Sequence, residues 1–167
     1  MRTLIGAIGY RNLRDHSAAF EVLERLSRDD LGTSVLLEDV SYNPIALVQW
    51  LDEQPADARF ERIILVSGVQ RPGRDPGAVT RYQWSRALPS DELIQQAITE
   101  AVTGIISLDN TIVIAGYFGA LPPWVTIIEI EPAQHEFGSE LSPPVERAVE
   151  SVTFLIRDLA LQRETIQ

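Results

Sequence analysis

Length, composition and charge exclude several classes of protein at the start. The 167 residues, 45% hydrophobic and 23% charged, suffice for one globular domain, and the absence of cysteine excludes disulfides, thiolate nucleophiles and Cys-ligated metal sites. A net charge of −10 argues against nucleic-acid binding. Because no apolar run approaches the ~20 residues of a membrane span and no signal-peptide layout is present, we expect a soluble, cytoplasmic protein without membrane insertion.

The first half of the chain alternates between predicted strands and helices. An almost wholly apolar run ends at Gly9, as in a strand that is covered on both faces, and a polar loop follows it. The predicted elements are a strand at 2–8, a helix from Asp15 or Ser17 to about residue 28, a strand at 34–38, a helix at 44–53 and a strand at 62–67.

The second half is less regular. Two prolines and two glycines within residues 69–77 indicate turns, and the weak alternation over residues 78–84 predicts an edge strand exposed on one side. The remaining predicted elements are a helix from Ser90 to about residue 105, a buried strand at 111–117, a strand at 124–130, a long polar loop at 131–142 and a helix from Ser142 to about residue 161.

This order predicts a single three-layer α/β/α sandwich with a mostly parallel sheet of five to six strands and one antiparallel edge strand. The domain is predicted to cover residues 1–162, and residues 163–167 are predicted to form a C-terminal tail. In such folds the working site lies at the carboxyl ends of the strands. We therefore expect it where Gly9 to His16 leave the first strand.

Candidate site residues follow the predicted strand ends. Asp15 and His16 are the most informative pair, because an imidazole can carry a proton or bind a metal ion. The alternative is that Asp15 caps the helix and His16 is a solvated residue of its first turn. Asp39 and Ser67 lie at the ends of the second and third strands. His135 lies in the long polar loop, where a lone histidine is usually a surface residue.

The residues also bear on three other kinds of site. Gly6 and Gly9 are wrongly spaced for a dinucleotide fingerprint, and no G-x-S-x-G elbow is present, so a nucleotide site and a serine nucleophile have little support. Arg71 and Arg74 could bind a carboxylate or a phosphate of a small molecule. The alternative is that the loop with these arginines is simply solvated.

Three segments together resemble the hydrogenase maturation endopeptidases, which cleave the C-terminal extension from the large subunit of nickel–iron hydrogenases. Residues 6–19 resemble that family's G-x-G-N-x-L-x-x-D-(E/D)-x-x-G, and residues 66–79 resemble V-D-A-V followed by P-G-T-V. The strongest match is residues 130–145, similar to I-E-P-x-x-x-x-x-G-x-x-L-S-P-x-V, which includes Glu131 and His135. The resemblance covers nearly the whole chain and implies a sandwich of the phosphorylase/hydrolase-like type.

The resemblance also implies a set of site residues. In that family three ligands read the nickel in the substrate: an acid after the loop aspartate, an aspartate that ends the third strand, and a histidine on the fourth helix. The first two positions hold His16 and Ser67 here, and the third falls near Asp91 to Ile94, where there is no histidine. Asp15, His16 and Ser67 are thus the candidate catalytic positions, and His16 is the candidate metal ligand. The candidate binding residues are Asp39, Arg71, Arg74, Glu131 and His135.

Two hypotheses about activity follow. In the first, which the substituted ligands favour, the chain is a divergent member that binds or helps to assemble a hydrogenase large subunit. In the second, it is an active endopeptidase that uses His16 and Asp15, with Asp39 or His135, around the metal. In both, the expected partner is a nickel–iron hydrogenase large subunit. Any nickel would be supplied by that partner, and no resident cofactor is expected.

Overall fold

Five strands form one sheet at the centre of the structure, a computed structural model that describes residues 1–162. They are β1 (Thr3–Ile8), β2 (Val35–Asp39), β3 (Arg62–Gly68), β4 (Val79–Gln83) and β5 (Trp124–Ile130). Their order is β2-β1-β3-β5-β4, and every pair is parallel except β4 with β5, which is antiparallel. The predicted fold class, including the antiparallel edge strand, is confirmed. The predicted tail at residues 163–167 lies outside the described residues.

The helices within residues 1–162 lie on both faces of this sheet. They are α1 (Ala18–Leu26), α2 (Pro44–Asp52), α3 (Asp91–Val102), α4 (Leu108–Tyr117) and α5 (Pro143–Leu161), with short 3-10 turns at Arg14–Ser17 and Ala56–Ala58. Over the same range, none of the helices combines the length and the apolar character that a membrane crossing requires.

Strand alternation divides the core into two layers, because successive side chains of a strand point to opposite faces. On one face, strand residues such as Ile5 and Ile128 pack against α1 and α5. On the other face, Leu4 and its neighbours pack against α2 and the start of α4, and α3 packs on the outer side of α4. Each fully buried isoleucine or leucine contributes about 1.5–3 kcal/mol, so burial on both faces stabilises the three layers.

The buried strand predicted at residues 111–117 is wrong, because this segment belongs to α4. Ser107 and Asn110 form a reciprocal cap, in which Asn110 N donates to Ser107 Oγ at 3.1 Å and Ser107 N donates to Asn110 Oδ1 at 3.0 Å. This cap satisfies two backbone donors that a helix start otherwise leaves unpaired. Ile114 and Ala115 are buried against α2 and α3. The sheet described therefore has five strands, the lower number of the predicted range.

The carboxyl ends of β1 and β3 carry the turn Arg14–Ser17, and glycine is required at both contacts. A Cβ atom at Gly9 would lie 2.4 Å from the backbone oxygen of His16, and one at Gly68 would lie 2.9 Å from that of Asp15. Tyr10 N donates to the same oxygen of His16 at 3.1 Å. Asp15 and His16 therefore lie directly over these strand ends.

Candidate functional site

Asp15 joins the loop after β1 to residues 131–142, which we call the late loop. Its side chain is fully buried, and Oδ2 accepts hydrogen bonds from Ala133 N, Gln134 N and Ser142 Oγ while Oδ1 accepts from Ser142 N, each at 2.8 Å. The helix-capping role predicted for Asp15 is wrong, because all four donors belong to the late loop. Asp15 is an anchor between two segments that are far apart in the sequence.

These contacts hold Asp15 in its charged form. Burial alone would raise the pKa of Asp15. Hydrogen bonds from the three backbone N–H groups and the Ser142 hydroxyl together lower it by more than burial raises it, so the pKa lies below its ordinary value. A carboxylate held in this way is a poor proton carrier near neutral pH. The geometry therefore supports a positioning role for Asp15.

A second set of contacts holds the two loops together beside Asp15. Arg14 N donates to Gly138 O at 2.9 Å, and Gly138 N donates to Asn12 O at 2.8 Å. The Arg14 guanidinium also donates to Gln134 Oε1. The late loop is thus fixed by its backbone at both Asp15 and Gly138.

Two histidines meet on the outer side of this junction. His16 Nε2 lies 2.7 Å from His135 Nδ1, with ring centroids 5.0 Å apart and planes inclined by 45°. Such a contact is a hydrogen bond only when one of the two facing nitrogens carries a proton and the other does not. His135 is exposed, as predicted, but it is paired. Burial and the charge of His135 lower the pKa of His16, and Asp15 opposes this shift.

Ser67 lies at the end of β3, as predicted, and its hydroxyl is already engaged. The side chain is buried, and Oγ donates to the backbone oxygen of Ile8 at 2.7 Å. This bond joins the carboxyl ends of β3 and β1. Ser67 therefore contributes to the structure of the sheet end.

A cleft of about 170 Å³ opens over the carboxyl ends of β1 and β3. His16, Ser67 and Asp109 line it together with the segment that leads into α4. Tyr10 joins two of its walls, because its hydroxyl donates to Ile106 O at 2.6 Å and accepts from Ile106 N at 3.2 Å. The cleft is where the sequence predicted the working site.

Charged side chains form a network at the α4 side of this cleft. Arg71 Nη1 and Nη2 donate to the two carboxylate oxygens of Asp109 at 2.8 and 2.7 Å, and its Nε donates to Glu129 Oε1 at 2.9 Å. Arg74 approaches Glu129 Oε2 at 3.4 Å. The hydrogen bonds that Arg71 donates to Asp109 raise the pKa of Arg71, against the opposing effect of burial. Both arginines face carboxylates, which argues against the anion-binding hypothesis.

Two other predicted binding residues, Glu131 and Asp39, also have partners within the chain. The buried Glu131 accepts a hydrogen bond from Arg71 N at 2.9 Å. Asp39 Oδ1 accepts from Ser41 N at 2.9 Å, and its Oδ2 accepts from Arg11 at 3.2 Å. Both carboxylates therefore hold loops at the strand ends.

Comparison with solved structures assigns the architecture. The chain is similar to the hydrogenase 2 maturation peptidase from Thaumarchaeota archaeon SCGC_AB-539-E09, with a TM-score of 0.67 and 24% identity over 97% of this chain and 100% of that one. It is also similar to the hydrogenase maturating endopeptidase HybD from Escherichia coli, with a TM-score of 0.64 and 19% identity over 95% of this chain and 94% of that one.

This chain has the fold of the hydrogenase maturation proteases. A third structure, the [NiFe] hydrogenase maturation protease HybD from Thermococcus kodakarensis, gives a TM-score of 0.60 and 20% identity over 96% of this chain and 99% of that one. No protein-family model and no curated protein matches the sequence. The resemblance inferred from the motifs is therefore confirmed at the level of the fold.

Within this maturation-protease fold, two of the three expected ligand positions lie at the cleft and the third does not. His16 and Ser67 line the cleft, whereas Asp91 to Ile94 belong to the first turn of α3 and do not line it. Asp109 lines the cleft, and the sequence did not reveal it, because the strand predicted at residues 111–117 placed Asp109 outside any helix. The S-x-x-N spacing of the helix cap was the signal that could have revealed it. Across residues 1–162, no group of three or more His, Asp or Glu side chains could hold a metal ion.

Replacing Arg71 by Lys is expected to lower the free energy of unfolding by about 1–2 kcal/mol, because an ammonium group cannot reproduce the paired hydrogen bonds to Asp109 and the bond to Glu129. Urea denaturation would measure this change. Arg147→Lys, on the exposed side of α5, is the matched control and should change stability by less than about 0.5 kcal/mol. Equal effects of the two substitutions would contradict a structural role for the Arg71 network.

Proposed function

We propose that this chain acts in the maturation of a nickel–iron hydrogenase large subunit, in the cytoplasm, as a protein that binds or helps to assemble the subunit without cutting it. The proposal rests on the fold, because the proteins of similar structure include [NiFe] hydrogenase maturation proteases. Nickel would reach the cleft as part of that partner. The nature of the cleft decides between binding and cutting.

The observation that supports binding without cleavage is that the side-chain oxygens of Asp109 and Ser67 in the cleft are already hydrogen-bonded within the chain. Arg71 takes both carboxylate oxygens of Asp109, and the Ser67 hydroxyl donates to Ile8 O. A side chain that coordinates a divalent metal ion must direct a free lone pair towards the ion. A carboxylate that is paired with a guanidinium has less negative charge available for the metal ion. Only His16 then remains as a strong donor among the three polar side chains His16, Ser67 and Asp109.

The alternative is an active endopeptidase with a changed metal site. The observation that favours it is His16 itself, which lines the cleft and has the second imidazole of His135 beside it. Imidazole is a good ligand for nickel. In this alternative, His16 and His135 would contact nickel held by the large subunit, and the metal would serve as a Lewis acid for hydrolysis of the peptide bond before the C-terminal extension.

Coexpression with a large-subunit precursor that keeps its C-terminal extension tests the proposal. We expect the precursor to copurify with this chain at its full length, as measured by intact mass spectrometry. His16→Ala should leave the complex intact, because binding without cleavage needs no metal donor. Shortening of the precursor, abolished by His16→Ala, would instead establish the endopeptidase. If the precursor neither copurifies nor shortens, the proposed function is wrong.

A further inference from the structure

We propose that His16 Nε2 and His135 Nδ1 form a two-nitrogen binding site for a divalent transition metal ion such as Ni²⁺ or Zn²⁺, which this chain binds by itself. The site lies at the junction of the turn Arg14–Ser17 and the late loop, and its second ligand comes from outside the set of positions that the family resemblance supplied. It does not depend on the proposed function, because it requires no hydrogenase subunit.

The first argument is that the two nitrogens already converge. They lie 2.7 Å apart although their residues are 119 positions apart in the sequence. Zn–N bonds of about 2.0–2.1 Å in a tetrahedral arrangement place two ligand nitrogens roughly 3.3 Å apart. The rings therefore need to separate by only about 0.6 Å. Because the contact lies at the surface, the imidazoles can make this movement without disturbing the core.

The second argument is that a single buried carboxylate holds both backbones. His16 directly follows Asp15, and His135 directly follows Gln134, whose N–H donates to Asp15 Oδ2 at 2.8 Å. The side chain of Gln134 is held in turn by the Arg14 guanidinium. The fold thus brings the two ligands together before a metal arrives, so little conformational entropy remains to be lost on binding.

The third argument concerns proton occupancy and charge. A bound ion requires both facing nitrogens to be free of protons, which the donor ring achieves by moving its proton to its other nitrogen. The chain carries a net charge of −10, which raises the local concentration of cations, and imidazole favours Ni²⁺, Cu²⁺ and Zn²⁺ over Mg²⁺.

The chain would supply two ligands, and the remaining coordination positions would be filled by water or by a group from a partner. Over residues 1–162 no cluster of three or more His, Asp or Glu side chains is available to hold a metal ion. We therefore expect weaker binding and faster exchange than at a closed four-ligand zinc site. An ion held with open positions can accept a further ligand.

Calorimetric titration of the untagged, metal-free chain with NiCl₂ tests the site directly. We expect saturable binding of one ion per chain, lost in His16→Ala and lost equally in His135→Ala, because each variant removes one of two ligands. MgCl₂ should give no binding. Asp57→Asn is the matched control, since it removes a carboxylate from an exposed turn that precedes β3, and it should bind Ni²⁺ like the parent chain.

Magnetic resonance of the imidazole rings gives an independent readout. The chain contains two histidines, so the two single variants assign every imidazole signal. Addition of ZnCl₂ should shift both sets of ring signals together. His16→Gln and His135→Gln, with circular dichroism to check folding, guard against misfolding of the alanine variants.

Three results would overturn the site: no Ni²⁺ binding, binding that survives both histidine substitutions, or a Zn²⁺ titration that moves only one ring. These results would leave the proposed function standing, because copurification of the precursor is measured separately. Conversely, metal binding without any complex with the precursor would support this site and contradict the proposed function.

Discussion

Replacing Asp15 by Asn is expected to lower the free energy of unfolding by about 3 kcal/mol at neutral pH. The carboxylate accepts four hydrogen bonds from the late loop. An amide at the same place turns its NH₂ group towards at least one of these N–H donors, which is left buried and unsatisfied at a cost of about 1–3 kcal/mol. The bonds that remain also lose their charge assistance. Urea denaturation at pH 7 measures the difference.

The effect should depend on pH in one direction. The pKa of Asp15 in the folded chain lies below its unfolded value, so its contribution to stability is fully present above the unfolded pKa of about 4 and is lost as the pH falls through the folded pKa. The stability of Asp15→Asn should therefore approach that of the parent chain in acid.

Asp57→Asn is the control for this experiment, because Asp57 is exposed in a short turn between α2 and β3. It should change stability by less than about 0.5 kcal/mol at every pH. If Asp15→Asn were as mild as Asp57→Asn, or if its cost did not fall in acid, the anchoring role of Asp15 would be wrong.

Gly77→Ala is expected to lower the free energy of unfolding by about 3 kcal/mol, from two separate causes. Gly77 has φ +81°, which costs an L-residue about 1–2 kcal/mol. Its added Cβ would also lie 2.5 Å from Pro144 O, at the start of α5. Gly77 N donates to Glu131 O at 2.8 Å, so the turn cannot move away freely.

Gly73→Ala separates the two causes. Gly73 has φ +77° in the same loop, but a Cβ there would meet no atom within 4 Å. It should therefore cost only the backbone term of about 1–2 kcal/mol, and the difference between the two variants measures the clash with Pro144. Equal costs in thermal and urea denaturation would show that α5 moves aside at this contact.

The sheet was predictable because each strand has a clear local signal. The apolar runs of β1, β3 and β5 indicate strands covered on both faces, and the weak alternation of β4 indicates an exposed edge. The segment of α4 was not predictable from its apolar run, because Ile112 to Ile114 fit a strand as well as a helix. The cap at Ser107 and burial against α2 and α3 stabilise the helix instead of a strand.

The location of the site could be predicted from the sequence, but the contacts between its residues could not. The glycine turn after β1 located Asp15 and His16 at the carboxyl end of the sheet. Their partners lie in the late loop, more than a hundred residues further along, and no local pattern reveals such pairings. His135 therefore looked isolated in the sequence, although it contacts His16.

The strand order also determines when the sheet can be completed during synthesis. The strand β4 leaves the ribosome before β5, yet its sheet partner is β5, which lies between β3 and β4. Until residue 130 has been made, β4 has no place in the sheet, and until residue 142 has been made, Asp15 lacks its full set of donors. The edge strand and the histidine junction must therefore assemble late, after the greater part of the chain has been translated.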